Sequence, residues 1–173
     1  MEAVGLQLQR IASDLSDHVE RDLFARSAFN RYYCATYLDV KNGLGSLNAG
    51  WRGILHSQVS TILEGPVNKE LAKGRDRAKR ASDANTSALC SRAMHATRVL
   101  SDLMNSGYAT GVAADYFSAV RIDFADAYDV TLNSVRVKEA GGCQRRRRQL
   151  GTVLIIVSQL QYVRYISQNT GAI

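Results

Sequence analysis

Val4, Leu8, Ile11, Leu15 and Val19 recur at steps of four, three, four and four, one apolar stripe of an amphipathic helix, and predict a first helix over about 2–15. Phe29, Tyr33 and Tyr37 recur every four residues in FNRYYCATY and place an aromatic face on a second helix, from about Asp17 to Val40. Asn42-Gly43 reads as its C-terminal stop. A third helix, about Trp51 to Glu64, buries Ile54 or Leu55, Val59 and Ile62, and ends at Gly65-Pro66. Residues 66–82 read as a connecting loop or frayed helix. A fourth helix runs from near Asp83 to Asn105 with Gly107 as its stop, and a fifth is capped by Asp115 and ends at Gly141-Gly142. A sixth covers about Gln144 to Gln168 and is apolar on more than one face. No stretch alternates convincingly with period two. The pattern therefore predicts an all-α antiparallel helical bundle over 1–143, with an extra C-terminal helix, 144–173, packed on the same domain.

Composition narrows this little. With 46% hydrophobic and 22% charged residues the chain is globular, and a single proline, Pro66, favours long helices over a linker. Three widely spaced cysteines (Cys34, Cys90, Cys143) form neither a disulfide framework nor a zinc motif. The N-terminus lacks the cationic-then-apolar order of a signal peptide, so a reducing, cytoplasmic location is expected. The most apolar segment, 150–163, is broken by Ser158, Gln159 and Gln161 and is too short to span a bilayer.

Charge changes the picture more. Between Lys69 and Arg80 six basic residues oppose two acidic ones, a net of +4, and Arg145 to Arg148 add another +4. The whole chain carries +6, so everything else sums to −2. Two dense basic patches on a near-neutral body point to a polyanion. Neither holds an aromatic residue on which bases could stack, so phosphate contacts are expected.

NRYYCATYL resembles the second-helix motif of small prokaryotic HEPN-domain proteins, which reads like SRAYYAAFH. Arg31 falls at the arginine position, Tyr33 and Tyr37 at aromatic ones, and Cys34 replaces the second tyrosine of the pair. HSQVSTIL (56–63) resembles the third-helix segment of that family, NKELAKG (68–74) the connection after it, and ADY (114–116) the opening of its last helix. The resemblance spans roughly residues 20–140. It implies a helical bundle that commonly dimerises and works in toxin–antitoxin or antiviral defence systems, binding or cutting RNA. On that reading the chain is a component that binds RNA or a partner protein, with itself or a protein of the same operon as partner, and with no cofactor or metal. Its nuclease signature, an arginine followed after four to six residues by a histidine, is missing. His18, His56 and His95 each have an arginine upstream, but at the wrong distance. Gly111 stands where the family has an arginine ahead of ADY.

Arg52 and His56, four apart, would share a helical face and are the candidate catalytic pair of an alternative reading, a metal-independent endoribonuclease. The nucleic-acid-binding candidates are Arg31, Arg75, Arg77, Lys79, Arg80, Arg145, Arg146, Arg147 and Arg148. A third reading is a structural dimerisation module whose patches meet an acidic protein. Asp123, Asp126 and Asp129 read as a solvated acidic face, and GLG (43–45) lacks the lysine of a phosphate loop.

Overall fold

The computed structural model describes residues 1–117, 119–126, 129–132, 135–136 and 151. Helices dominate: α1 (Glu2–Asp14), α2 (His18–Leu47), α3 (Val59–Ile62), α4 (Asn68–Arg80) and α5 (Ala84–Tyr116). Two compact units are distinguishable, residues 1–39 with 103–143, and residues 40–102 with 144–173.

In the first unit, α2 starts where the sequence predicts. The Asp17 carboxylate accepts hydrogen bonds from the backbone N–H groups of Val19 and Glu20, both 2.9 Å, and so caps two donors the helix leaves unpaired. Phe29, Tyr33 and Tyr37 are buried as their spacing predicts. The Tyr32 hydroxyl donates to Gln9 Oε1 of α1 at 3.0 Å, which satisfies a buried phenol. Alanines 12, 25, 28 and 114 join Phe29, Tyr32, Val130 and Leu132 in one core.

Gly107 does not end a helix. It lies inside α5, where a Cβ would stand 3.0 Å from Tyr33 Cδ2, and one at Gly111 would stand 3.3 Å from Tyr33 Cδ1. The two glycines, one turn apart, make a flat bed for the Tyr33 ring. α5 therefore runs on to Tyr116, and ADY closes a helix instead of opening one. Asn30 Nδ2 holds both Asp115 carboxylate oxygens at 2.9 Å.

The expected fifth helix is absent from the described part of 115–141. Three short strands take its place, β1 (Ile122–Asp126), β2 (Asp129–Leu132) and β3 (Val135–Arg136), paired antiparallel in that order. Ile122 faces Leu132 and Phe124 faces Val130, with a bulge before Asp126. Exposed Asp123 and half-buried Thr131 alternate with these apolar residues, so one face of the sheet joins the core. Buried Arg26 ties the connection down. It pairs with Asp22 at 2.5 Å and donates to the carbonyls of Phe117 at 3.1 Å and Val120 at 2.6 Å. The Arg21 guanidinium lies 3.8 Å over the Phe124 ring.

In the second unit α2 passes through Asn42-Gly43 to Leu47. Gly43 and Gly45 are buried there, and a Cβ on Gly45 would meet Arg52 Cγ at 2.9 Å. Gly45 serves close packing, and neither glycine terminates the helix. The predicted third helix begins later than expected. Ala49–Trp51 and His56–Gln58 are 3-10 turns, and regular helix starts only at Val59. Residues 66–82 are not a loop. A π turn, Leu63–Val67, carries Pro66 and joins α3 to α4, whose Leu71, Gly74 and Ala78 are buried. Proline has no N–H to donate, and the wide turn accommodates it.

The α4–α5 turn closes as a Schellman motif on a serine. Asp83 N–H donates to Ala78 O at 2.9 Å, Ser82 N–H to Lys79 O at 3.1 Å, and Ser82 sits at φ 57°. Asp83 then caps α5 by accepting from Thr86 N–H at 3.0 Å. The Thr86 hydroxyl first, and then that backbone bond, hold the Asp83 carboxyl below its ordinary range.

Candidate nucleic-acid interface

α4 is helical because Asn68–Arg80 holds no β-branched residue and only one glycine, and because Leu71, Gly74 and Ala78 anchor one face. The cations then fall where the helical period puts them. At about 100° per residue, Lys69, Lys73, Arg77 and Arg80 lie within an arc of roughly 80°. The buried residues centre about 130° away. All four cations are exposed, and the stripe extends along about 16 Å of helix axis. Glu70 and Asp76 flank it on either side, and Lys73 Nζ contacts Glu70 Oε1 at 2.8 Å. Glu70, Lys73, Asp76, Arg77 and Arg80 together line an open depression.

The structure thus regroups the candidates. Arg77 and Arg80 share the stripe with Lys69 and Lys73, two residues that counting charge alone did not single out. Arg75 and Lys79 lie on the other side of α4. Arg75 is half-buried, sits 3.5 Å from Asp76, and its Nε makes no hydrogen bond among the described residues. Lys79 borders a second depression with Ser82, Asp83, Ala84, Ser87 and Ala88. Arg31, in the first unit, is exposed on α2. Arg145, Arg146, Arg147 and Arg148 lie outside the described residues, as does the proposed C-terminal helix apart from Gly151.

Arg52 and His56 do not share a helical face. Arg52 follows the first 3-10 turn and is exposed, while His56 opens the second and is half-buried. Gly53 and an extended Leu55 separate them and break the helical spacing the pair requires. Burial, and then the positive charge of Lys41, hold the His56 imidazole below its usual range, so it is neutral at pH 7.

Among the described residues, the thiols of Cys34 and Cys90 are not activated. Cys34 is pushed up by burial, which outweighs the opposing pull of Arg31; Cys90 is pushed up by burial against the pull of Arg75 and Arg77. Burial, with neighbouring Cys34, Tyr108 and Tyr37, also raises Tyr33, which stays a neutral phenol. Asp123 is exposed on β1, so the three aspartates do not form a helical face; nothing is described of the side chains of Asp126 and Asp129. No group of three His, Cys, Asp or Glu among the described residues could hold a metal ion. No described helix is long and apolar enough to cross a membrane. No protein-family model, curated protein or solved structure matches the chain.

Proposed function

We propose that the protein is a HEPN-like component of a prokaryotic defence or toxin–antitoxin assembly, which binds RNA along its phosphate backbone through α4 and does not cleave it. The observation that carries this reading is the exposed stripe of Lys69, Lys73, Arg77 and Arg80. Four cations at successive helical turns suit a row of phosphates, and the stripe has no aromatic side chain for reading or stacking bases. The HEPN part rests on NRYYCATYL, whose Tyr33 and Tyr37 are buried on α2. Binding without cleavage fits the loss of the shared helical face that the Arg52/His56 pair requires.

Four phosphate contacts on single-stranded RNA give a slope of about −3 in log affinity against log salt. The Lys73→Gln/Arg77→Gln/Arg80→Gln variant should bind much more weakly and with a slope shallower by about 2. All three residues have exposed positions on α4, so its circular dichroism should match the unmodified protein. If the variant binds RNA as the parent does, or if binding is sequence-selective and insensitive to salt, α4 is not the interface.

A further inference from the structure

We propose a second anion site, for a single phosphate group, in the depression formed by Lys41, Asn42, Gly45, Ser46 and Arg52 at the C-terminal turns of α2. Two cations from separate segments converge there, Lys41 from α2 and Arg52 from beyond the first 3-10 turn. Among the described residues no carboxylate lines it. The Arg52 guanidinium makes no hydrogen bond or ion pair among the described residues. The Asn42 amide adds a donor. Ser46 donates its own hydroxyl proton to Gly43 O at 2.6 Å, so it meets a ligand only as an acceptor, for instance of a sugar hydroxyl. The space, about 320 Å³, lies at the small end of ligand sites. It suits a phosphate with its attached sugar and not a longer stretch of chain.

Gly45 builds the site. Arg52 lies against its backbone so closely that a Cβ would stand 2.9 Å from Arg52 Cγ and 3.5 Å from Arg52 Cα. Any side chain there pushes the arginine stem away from Lys41. The planar fork of arginine then supplies paired donors and the lysine a point charge, the division of labour common in phosphate recognition. The site is independent of the α4 stripe: it shares no residue with it, and losing one leaves the other in place.

His56 reports on occupancy. The charge of Lys41, after burial, lowers the imidazole. A phosphate dianion beside Lys41 offsets that charge and raises the His56 pKa. The test is an NMR pH titration of the His56 ring in the full chain, with and without inorganic phosphate. Parallel titrations use one oligoribonucleotide bearing either a 5′-phosphate or a 5′-hydroxyl. Phosphate should raise the His56 pKa in the unmodified protein and in the Lys73→Gln/Arg77→Gln/Arg80→Gln variant alike. Arg52→Gln and Gly45→Ala should each need about tenfold more phosphate for the same shift, with unchanged helix content. A shift from the 5′-phosphorylated strand alone identifies a terminal phosphomonoester as the ligand. An equal shift from the 5′-hydroxyl strand identifies a backbone phosphodiester. If none of the three probes moves His56, or if Arg52→Gln responds like the unmodified protein, there is no phosphate site here.

Discussion

Replacing Gly107 with alanine sets two effects of known sign against each other. In an ordinary helix interior alanine is better than glycine by about 1 kcal/mol. At this position the new methyl would stand 3.0 Å from Tyr33 Cδ2, against an ordinary carbon–carbon contact of about 3.5–4.0 Å. The ring must therefore move by roughly 0.5–1 Å. It has little room, because Tyr33 is only 5% exposed and its other edge already lies on Gly111. Overpacking of this kind costs about 1–3 kcal/mol, so the net expectation is a loss of about 1 kcal/mol. The decisive measurement is a double-mutant cycle, with stability read from urea unfolding of the helical circular dichroism. In a Tyr33→Leu background the edge of the ring is gone, and Gly107→Ala should become stabilising. A change of sign between backgrounds identifies the glycine as a seat for Tyr33. If Gly107→Ala stabilises both backgrounds equally, α5 and α2 do not approach as described.

Two further expectations follow from the turn between α4 and α5. Ser82→Gly should raise stability by about 0.5–1 kcal/mol, since Ser82 holds a left-handed backbone at φ 57° that glycine adopts without strain; urea midpoints compare the two. The Asp83 cap makes stability depend on pH with a defined sign. Its folded pKa lies below the unfolded one, so its contribution is present above the unfolded value of about 4 and is lost as pH falls through the folded value. Asp83→Asn should keep the cap and flatten that part of the pH profile in urea titrations repeated at falling pH.

The two ends of the helical pattern were not equally readable in the sequence. Starts were legible where a single side chain determines them. Asp17 and Asp83 both cap helices near the predicted positions, because one carboxylate and two or three backbone donors decide the matter locally. Ends were misread where glycine was taken as punctuation. Gly43 and Gly107 look like stops in one dimension, yet both are buried inside helices, and at Gly107 the reason lies on another segment, the Tyr33 ring. The strands escaped notice because IDF and VTL alternate over only three residues, too short to distinguish from a helical face. The charge on α4 was visible as a sum. Which cations stand together was not, because that depends on where Leu71, Gly74 and Ala78 are buried.

The π turn sets that orientation. Val59, Leu63, Val67 and Leu71 follow one another in steps of four, and each such step overshoots a regular turn by about 40°. On an unbroken α-helix the four would wander through roughly 120°, yet all are at most 1% exposed. The wide turn at Leu63–Val67 absorbs the surplus residue and brings the two halves back into phase. The facing of Lys69, Lys73, Arg77 and Arg80 is therefore fixed upstream, by chain length at a turn that contains none of them. Losing one residue from Glu64–Pro66 would leave every cation in place along the sequence and still swing the stripe by about 100° relative to Val59 and Leu63. In this protein the reading frame of a helix, as much as its charge, decides what the surface presents.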